Sequence, residues 1–114
     1  VVAVGESVSA LREGDRVATF GPAMGAYASA RNVPAASLFV LPDAISDDVA
    51  AAVLLKGCTA EFLAERCARV APGDAVLVHA AAGGVGLILV QWLKAMGATV
   101  IGTVSSAAKA DAAR

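Results

Sequence analysis

The stretch Ala75-Val76-Leu77-Val78-His79-Ala80-Ala81-Ala82-Gly83-Gly84-Val85-Gly86, with Leu87 to Gly97 behind it, decides how the chain folds. Ala75 to Val78 is a short apolar run set off by the turn signal Pro72-Gly73-Asp74. Its composition suits a strand buried on both faces of a parallel sheet. Small residues follow, then Gly83, Gly84 and Gly86. There a backbone can turn sharply, and a ligand can approach it without meeting a side chain. Leu87 to Met96 is apolar nearly all round, as expected of a helix packed on a sheet, and Gly97 stands where a C-cap glycine belongs. Thr99 to Val104 reads as the next strand, so the pattern predicts a βαβ unit.

The chemistry follows from that geometry. The first amides of a helix have no intrahelical partner, and the helix dipole adds partial positive charge there. A glycine turn aims those amides at an anion, typically the pyrophosphate of a dinucleotide. The usual fingerprint is G-x-G-x-x-G; here Ala81 replaces the first glycine, giving Ala81-x-Gly83-x-x-Gly86. The bland alternative is a tight turn and nothing more, but the strand before and the helix and strand after supply the context that the motif requires.

The end of the second strand refines the expectation. NAD binders carry an Asp or Glu about 20 residues beyond the glycines, which holds the ribose 2′-hydroxyl. Here Val104 is followed by Ser105-Ser106, with Lys109 one helical turn later. Two hydroxyls and a cation suit a 2′-phosphate, so NADPH is expected over NADH. Ser105 or Ser106 is also a candidate N-cap, and Lys109 an ordinary solvated lysine. The two readings are compatible, because a capped helix N-terminus is also favourable to an anion.

Composition bounds the rest. The chain has 114 residues, enough for one small domain, and 58% of them are apolar. Nine basic and ten acidic residues leave a net charge of −1, and no basic block argues for nucleic acid or an anionic membrane surface. Ala75 to Leu93 is a run of nineteen residues without Asp, Glu, Lys or Arg, long enough for a membrane span. The glycine cluster, His79 and Gln91 favour strand, turn and helix instead. No signal peptide is visible, and a cytoplasmic setting is expected. Cys58 and Cys67 have no C-x-x-C spacing and read as small core residues. The chain starts inside the strand-like run Val1-Val2-Ala3-Val4 and ends at Arg114 inside an expected helix, so it reads as a piece of a longer protein.

Taken in order, Val1 to Val4, Arg16 to Phe20, Gly25 to Val33 and Leu38 to Leu41 read as short strands, with a break at Gly21-Pro22. Four such strands predict an antiparallel, barrel-like β region. Composition changes at Pro42. Ser46 is a plausible N-cap for a helix from Asp47 to Leu55, with Asp47 and Asp48 in its first turn. Lys56-Gly57 is expected to interrupt it. A second helix, Thr59 to Val70, would place Phe62, Leu63, Cys67 and Val70 on one face.

Three strings now carry a resemblance: Leu55-Lys56-Gly57-Cys58-Thr59-Ala60, Val70-Ala71-Pro72-Gly73-Asp74, and His79 to Gly86. Together with Ile101-Gly102-Thr103-Val104-Ser105-Ser106 and Lys109, they resemble the medium-chain dehydrogenase/reductase superfamily. The match is most similar to its zinc-independent NADPH:quinone oxidoreductases, the ζ-crystallin-like branch. Gly14-Asp15-Arg16-Val17 and Gly25-Ala26-Tyr27-Ala28 are similar to the β-domain of that family. The resemblance implies an α/β chain: the first part of a doubly wound parallel (Rossmann) sheet, preceded by part of a GroES-like antiparallel β region. The expected divisions are residues 1–42 for the β part, 43–73 for connecting helices and 74–114 for the start of the nucleotide domain.

The resemblance further implies hydride transfer from NADPH to a small-molecule quinone or enone acceptor, in a subunit that is commonly a homodimer. It puts Gly83, Gly84 and Val85 at the pyrophosphate, Ser105, Ser106 and Lys109 at the 2′-phosphate, and Thr59 near the nicotinamide end. Relatives often carry a Tyr three residues after that Thr; here it is Phe62, which is left out of the site. One His and two Cys without a cluster do not supply zinc ligands, so no metal is expected. No residue takes a catalytic label, since hydride transfer needs no nucleophile. His79 reads as structural, Lys56 as a cap near a helix break, Tyr27 as packing as readily as cleft-facing, and Trp92 as core. The rival readings are an enoyl reductase or alcohol dehydrogenase of the same superfamily, and a nucleotide-binding module without turnover.

Overall fold

A computed structural model of the chain describes residues 1–21 and 24–113. The break expected at Pro22 and the helical setting expected for Arg114 lie outside the described residues. The chain forms two compact units, Val1–Leu54 and Leu55–Arg114. It is an α/β chain with one small antiparallel sheet and one parallel sheet.

In the first unit, β1 (Val17–Ala18) pairs antiparallel with β2 (Phe39–Val40), Val17 opposite Val40 and Ala18 opposite Phe39. The rings of Phe20 and Phe39 stack, with centroids 5.7 Å apart. The Arg16 guanidinium donates to Asp47 Oδ1 at 2.6 Å from Nη2 and 3.1 Å from Nε, and to the Ile45 carbonyl at 2.7 Å. Asp47 was expected to act only on the helix dipole. It is a salt-bridge partner as well, in an exposed pair of the kind worth about 0–1 kcal/mol.

Two expected strands do not form. Val1 to Val4 and Gly25 to Val33 are irregular. The backbone groups of Val1 are spent on a turn instead: its ammonium donates to the Asp15 carbonyl at 2.8 Å, and its carbonyl accepts from Gly14 at 2.9 Å. Asp15 closes that turn. Its carboxylate accepts the Arg12 backbone N–H at 2.9 Å, and this bond chiefly holds its pKa below the ordinary carboxylate value.

Helix α1 spans Asp47–Glu61. Ser46 starts it, its hydroxyl accepting the Val49 N–H at 3.3 Å. The expected interruption at Lys56-Gly57 is absent. A helical glycine costs about 1 kcal/mol relative to alanine, too little to break an alanine- and leucine-rich helix. The expected second helix is likewise not regular. Phe62–Cys67 is a π-helical turn in which Ala68 N–H reaches the Leu63 carbonyl at 2.9 Å. Arg69 then takes the left-handed φ of 50° and ends it.

In the second unit, Asp74 launches the βαβ unit. Its carboxylate accepts the Ala71 N–H at 2.8 Å, and its carbonyl accepts the Thr99 N–H at 2.8 Å. β3 (Ala75–Val78) runs parallel to β4 (Thr99–Gly102), with Ala75 opposite Thr99 and Val78 opposite Gly102. Between them, α2 (Gly84–Ala95) begins earlier than expected, at the glycines themselves. It ends as expected on Gly97, at φ 84°. The Gly97 N–H returns to Lys94 and the Ala98 N–H to Leu93, each at 3.0 Å, which is the Schellman arrangement.

The core of this unit is Ala64, Val78, Ala81 and Leu93, with Val76, Leu89, Val90 and Val100 packed on it. The strands are not buried on both faces. Leu77 and Ile101, paired in register, are 55% and 56% exposed, because α2 covers one face only. Cys67 is exposed and Cys58 half-buried, both free, so neither is the core residue expected.

Two contrasting glycines test the packing. A Cβ on Gly86 would lie 2.3 Å from the Ala80 carbonyl oxygen and 2.8 Å from that of Ala81, both backbone atoms with nowhere to go. A Cβ on Gly84 would meet the flexible Lys56 chain, 2.8 Å from Cε. Gly86→Ala is therefore expected to cost about 3 kcal/mol or more, and Gly84→Ala less than about 1 kcal/mol, read by chemical denaturation of the native-length protein. Equal costs would refute the close approach at Gly86. In the first unit, the depressed Asp15 pKa makes its turn most stable above the unfolded carboxylate range, and that stabilisation is lost as pH falls through the lower folded value. An NMR titration giving Asp15 an unshifted pKa would contradict this.

Candidate functional site

The loop between β3 and α2 is built by backbone bonds. Gly83 is the N-cap of α2, and its N–H donates to the Ala80 carbonyl at 2.7 Å. The first intrahelical bond runs from Leu87 N–H to the Gly83 carbonyl at 2.9 Å. The amides of Gly84, Val85 and Gly86 therefore precede the ladder and stand at the positive end of the dipole. Ala80 bends the chain with a left-handed φ of 53°. The loop is tied to the second strand by Ala81 N–H to the Thr103 carbonyl, 3.0 Å.

Beyond β4, Ser105 and Ser106 lead into α3 (Ala107–Ala112). Of the two sequence readings of these serines, the capping one is seen directly, at Ser106. Ser106 Oγ accepts the Lys109 backbone N–H at 3.4 Å and so caps α3, while the Lys109 ammonium donates to Ser105 Oγ at 3.2 Å. The ammonium is thereby drawn back toward the C-terminal end of β4.

These two segments face one cavity of about 320 Å³. Its lining is Ala80, Ala82 and Gly83 from the glycine loop, and Thr103, Val104, Ser105 and Lys109 from the β4 end. Of the expected residues, Gly83, Ser105 and Lys109 line it. Gly84 and Val85 continue the first turn of α2, and Ser106 stands beside Ser105 as the cap. Thr59 does not join them: it lies on α1, and its hydroxyl donates to the Leu55 carbonyl at 2.8 Å.

The cavity is lined both by residues of the positively polarised glycine turn and by a cation with hydroxyls. That arrangement suits an elongated ligand bearing anionic groups. Among the described residues, no three His, Cys, Asp or Glu side chains come together as a metal site, and no helix is long and apolar enough to cross a membrane.

The remaining candidates fall outside this lining. Tyr27 is fully exposed. Trp92 is half-buried against the core and donates its indole N–H to Glu65 Oε1 at 2.9 Å. The aliphatic part of Lys56 passes over Gly84, and Lys56 is internal to α1 rather than a cap at a break. His79 is exposed, with Nδ1 3.0 Å from Thr103 Oγ1. Sequence reasoning missed Thr103 as a lining residue. Its signal was a hydroxyl one step beyond the Val78–Gly102 register pair, after the apolar run Val100-Ile101.

Comparison with known proteins matches this geometry to solved structures. No family model matches the chain. It is 52% identical over 110 residues to a quinone oxidoreductase of Salmonella typhimurium, covering 96% of this chain and 34% of that one. It is 50% identical to a 2-haloacrylate reductase of a Burkholderia species, covering 97% of this chain and 34% of that one. Among solved structures, Escherichia coli quinone oxidoreductase complexed with NADPH superposes with a TM-score of 0.88 at 48% identity, covering 98% of this chain and 34% of that one. The chain thus spans about a third of the length of the curated relatives it matches.

The cap predicts its own test. Ser106→Ala removes the acceptor of the Lys109 N–H and should destabilise α3 by about 1 kcal/mol, seen as faster amide exchange in α3 with α2 unchanged. Unchanged α3 exchange would show that the cap is dispensable.

Proposed function

We propose that this chain, homologous along nearly its whole length to part of the quinone oxidoreductases of the medium-chain dehydrogenase/reductase superfamily, carries part of the NADPH site of such an enzyme. The activity proposed for the native-length protein is hydride transfer to a quinone or similar electrophilic acceptor. One observation carries the reading: the glycine turn and the Ser105–Lys109 pair line the same cavity. The NADPH complex of the Escherichia coli relative, at 48% identity over this same third, supports it.

The residues present fit the cofactor. The close approach at Gly86 leaves no room for a Cβ and holds the α2 amides against the end of β3. Amides there hydrogen-bond a pyrophosphate without a competing side chain, and the helix dipole favours its charge. Gly83, Gly84 and Val85 are assigned that role. Lys109 provides charge for a 2′-phosphate and Ser105 a hydroxyl donor, while Ser106 fixes the turn that presents them. Thr59 is assigned to the nicotinamide end. Its hydroxyl proton is committed to Leu55, so its oxygen remains as an acceptor, suited to a carboxamide NH₂. NADPH supplies the hydride when bound; the chain's residues bind, orient and select it. A division into a β part (1–42), connecting helices (43–73) and a nucleotide part (74–114) belongs to the same proposal. So do a homodimeric subunit, which rests on the resemblance, and the cytoplasmic setting expected from the sequence.

A second reading of the acceptor has its own support. The Burkholderia relative is named a 2-haloacrylate reductase and is 50% identical, nearly the value for the quinone reductases. An activated alkene is therefore the alternative acceptor.

Fluorescence titration of the native-length protein tests the cofactor assignment. NADPH is expected to bind at least about tenfold more tightly than NADH, a gap of about 1.4 kcal/mol, and Lys109→Ala should abolish the gap. Binding of neither nucleotide would defeat the enzyme reading. Equal binding of both would defeat the 2′-phosphate assignment alone.

A further inference from the structure

We propose that Thr103, oriented by His79, is a further cofactor-binding residue whose hydroxyl hydrogen-bonds the adenosine half of the bound nucleotide. This rests on the NADPH reading above.

Thr103 lines the same cavity as the glycine turn and as Ser105 and Lys109; Ala80, Ala82 and Val104 line it too. In the chain it stands two residues before Ser105, and its carbonyl accepts the Ala81 N–H of the glycine loop. Among the described residues of the lining, Thr103 is the one that carries a hydroxyl outside the Ser105–Lys109 pair. A group that joins a pyrophosphate to a 2′-phosphate is a sugar, and a hydroxyl is the side chain that matches its oxygens.

The backbone of Thr103 is fixed at both polar groups. Its N–H donates to the Val78 carbonyl at 2.9 Å, and its carbonyl accepts from Ala81 at 3.0 Å. The direction of its Cβ is thereby set by the ladder between β4 and the β3 end. Threonine is stiff at χ1, and the remaining rotor is held by His79 Nδ1 at 3.0 Å.

A hydroxyl has one donor and two acceptor positions, and His79 occupies one of them. With the Nε2–H tautomer, Nδ1 takes the Thr103 proton, and Thr103 Oγ1 faces the ligand as an acceptor. With the Nδ1–H tautomer, Thr103 keeps its proton to donate. In either case the exposed imidazole decides which face of the hydroxyl meets the sugar, and it orders that group before the ligand arrives.

The test uses the native-length protein with Thr103→Val, Thr103→Ser, His79→Leu and the Thr103→Val/His79→Leu double variant. Affinities are measured for NADPH, NADH, 2′,5′-ADP and reduced nicotinamide mononucleotide, the last by saturation-transfer NMR. Loss of one hydrogen bond corresponds to about 3- to 10-fold. Thr103→Val is expected to weaken NADPH, NADH and 2′,5′-ADP by that factor, with the NADPH/NADH ratio and the mononucleotide unchanged. Thr103→Ser should restore most of the loss. His79→Leu should weaken the same three ligands, and add nothing in the Thr103→Val background.

Wild-type affinity of Thr103→Val for 2′,5′-ADP would overturn the assignment, as would an equal loss for the mononucleotide, which signals general damage. Additive losses in the double variant would overturn the orienting role of His79. A wild-type protein that binds no nucleotide would bring down the NADPH reading and this one together. A wild-type protein that binds NADPH while Thr103→Val binds it equally well would remove this inference alone.

Discussion

The close approach of α2 to the end of β3 is the constraint on which the second unit depends. At Gly86 the helix comes so near the Ala80 and Ala81 carbonyls that a methyl group would stand 2.3 Å from one of them. Only that proximity lets Ala81 lie in the core while its own N–H reaches across to Thr103. The loop is left with no slack. Gly83 caps the helix, Ala80 takes its left-handed turn, and the first three amides of α2 precede its hydrogen-bonded ladder. On the proposed reading, a binding surface made of backbone is thus a by-product of packing, and it comes already ordered. Ordering it beforehand removes part of the entropic cost of holding a ligand.

The other end of the cavity is built differently. Ser105, Ser106 and Lys109 lie on an exposed turn and the short helix α3, and their geometry rests on two side-chain bonds. The cap is worth about 1 kcal/mol to its own helix, and the exposed lysine–serine bond contributes less. The amide turn is therefore locked to the core, while at the serine–lysine end the Ser106 cap holds α3 and the exposed Ser105–Lys109 contact can vary with little cost to the fold. On the proposed reading, that separation gives pyrophosphate binding to the scaffold and the choice between nucleotides to replaceable side chains.

The legible parts of the sequence were those set by local chemistry. Pro72-Gly73-Asp74, the apolar run to Val78 and Gly97 each act within a few residues of themselves and formed the expected turn, strand and C-cap, while the glycines of the expected turn also open α2. The N-caps Ser46 and Ser106 were legible for the same reason. What failed depended on partners distant in sequence or on a change of helical period. Val1 to Val4 has the composition of a strand, but its polar groups find Gly14 and Asp15 rather than a ladder. The face expected from Phe62, Leu63, Cys67 and Val70 assumed 3.6 residues per turn. The π turn at Phe62–Cys67 bonds five residues back, which rotates the series: Ala64 is buried, and Phe62 and Leu63 are 51% and 40% exposed. No residue type in that segment announces a π turn. Thr103 escaped notice because its role depends on register between two strands, not on its neighbours in sequence.

The sheet itself carries the last step. Its hydrophobicity predicted cover on both faces, yet α2 covers one, and Leu77 and Ile101 stand side by side on the other. Parallel strands occur almost only with both faces covered, and a two-stranded sheet is seldom stable alone. The strands are therefore more apolar than the described residues can use. Excess apolarity of this kind is a statement about environment: it is consistent with relatives three times as long, in which these residues make up about a third. The cavity draws on the other property of the same strands. Their carboxyl ends, where pairing stops and the backbone splays, are where a ligand can reach both β3 and β4 at once. Thr103 and Ala80 stand at those ends, and both line the cavity.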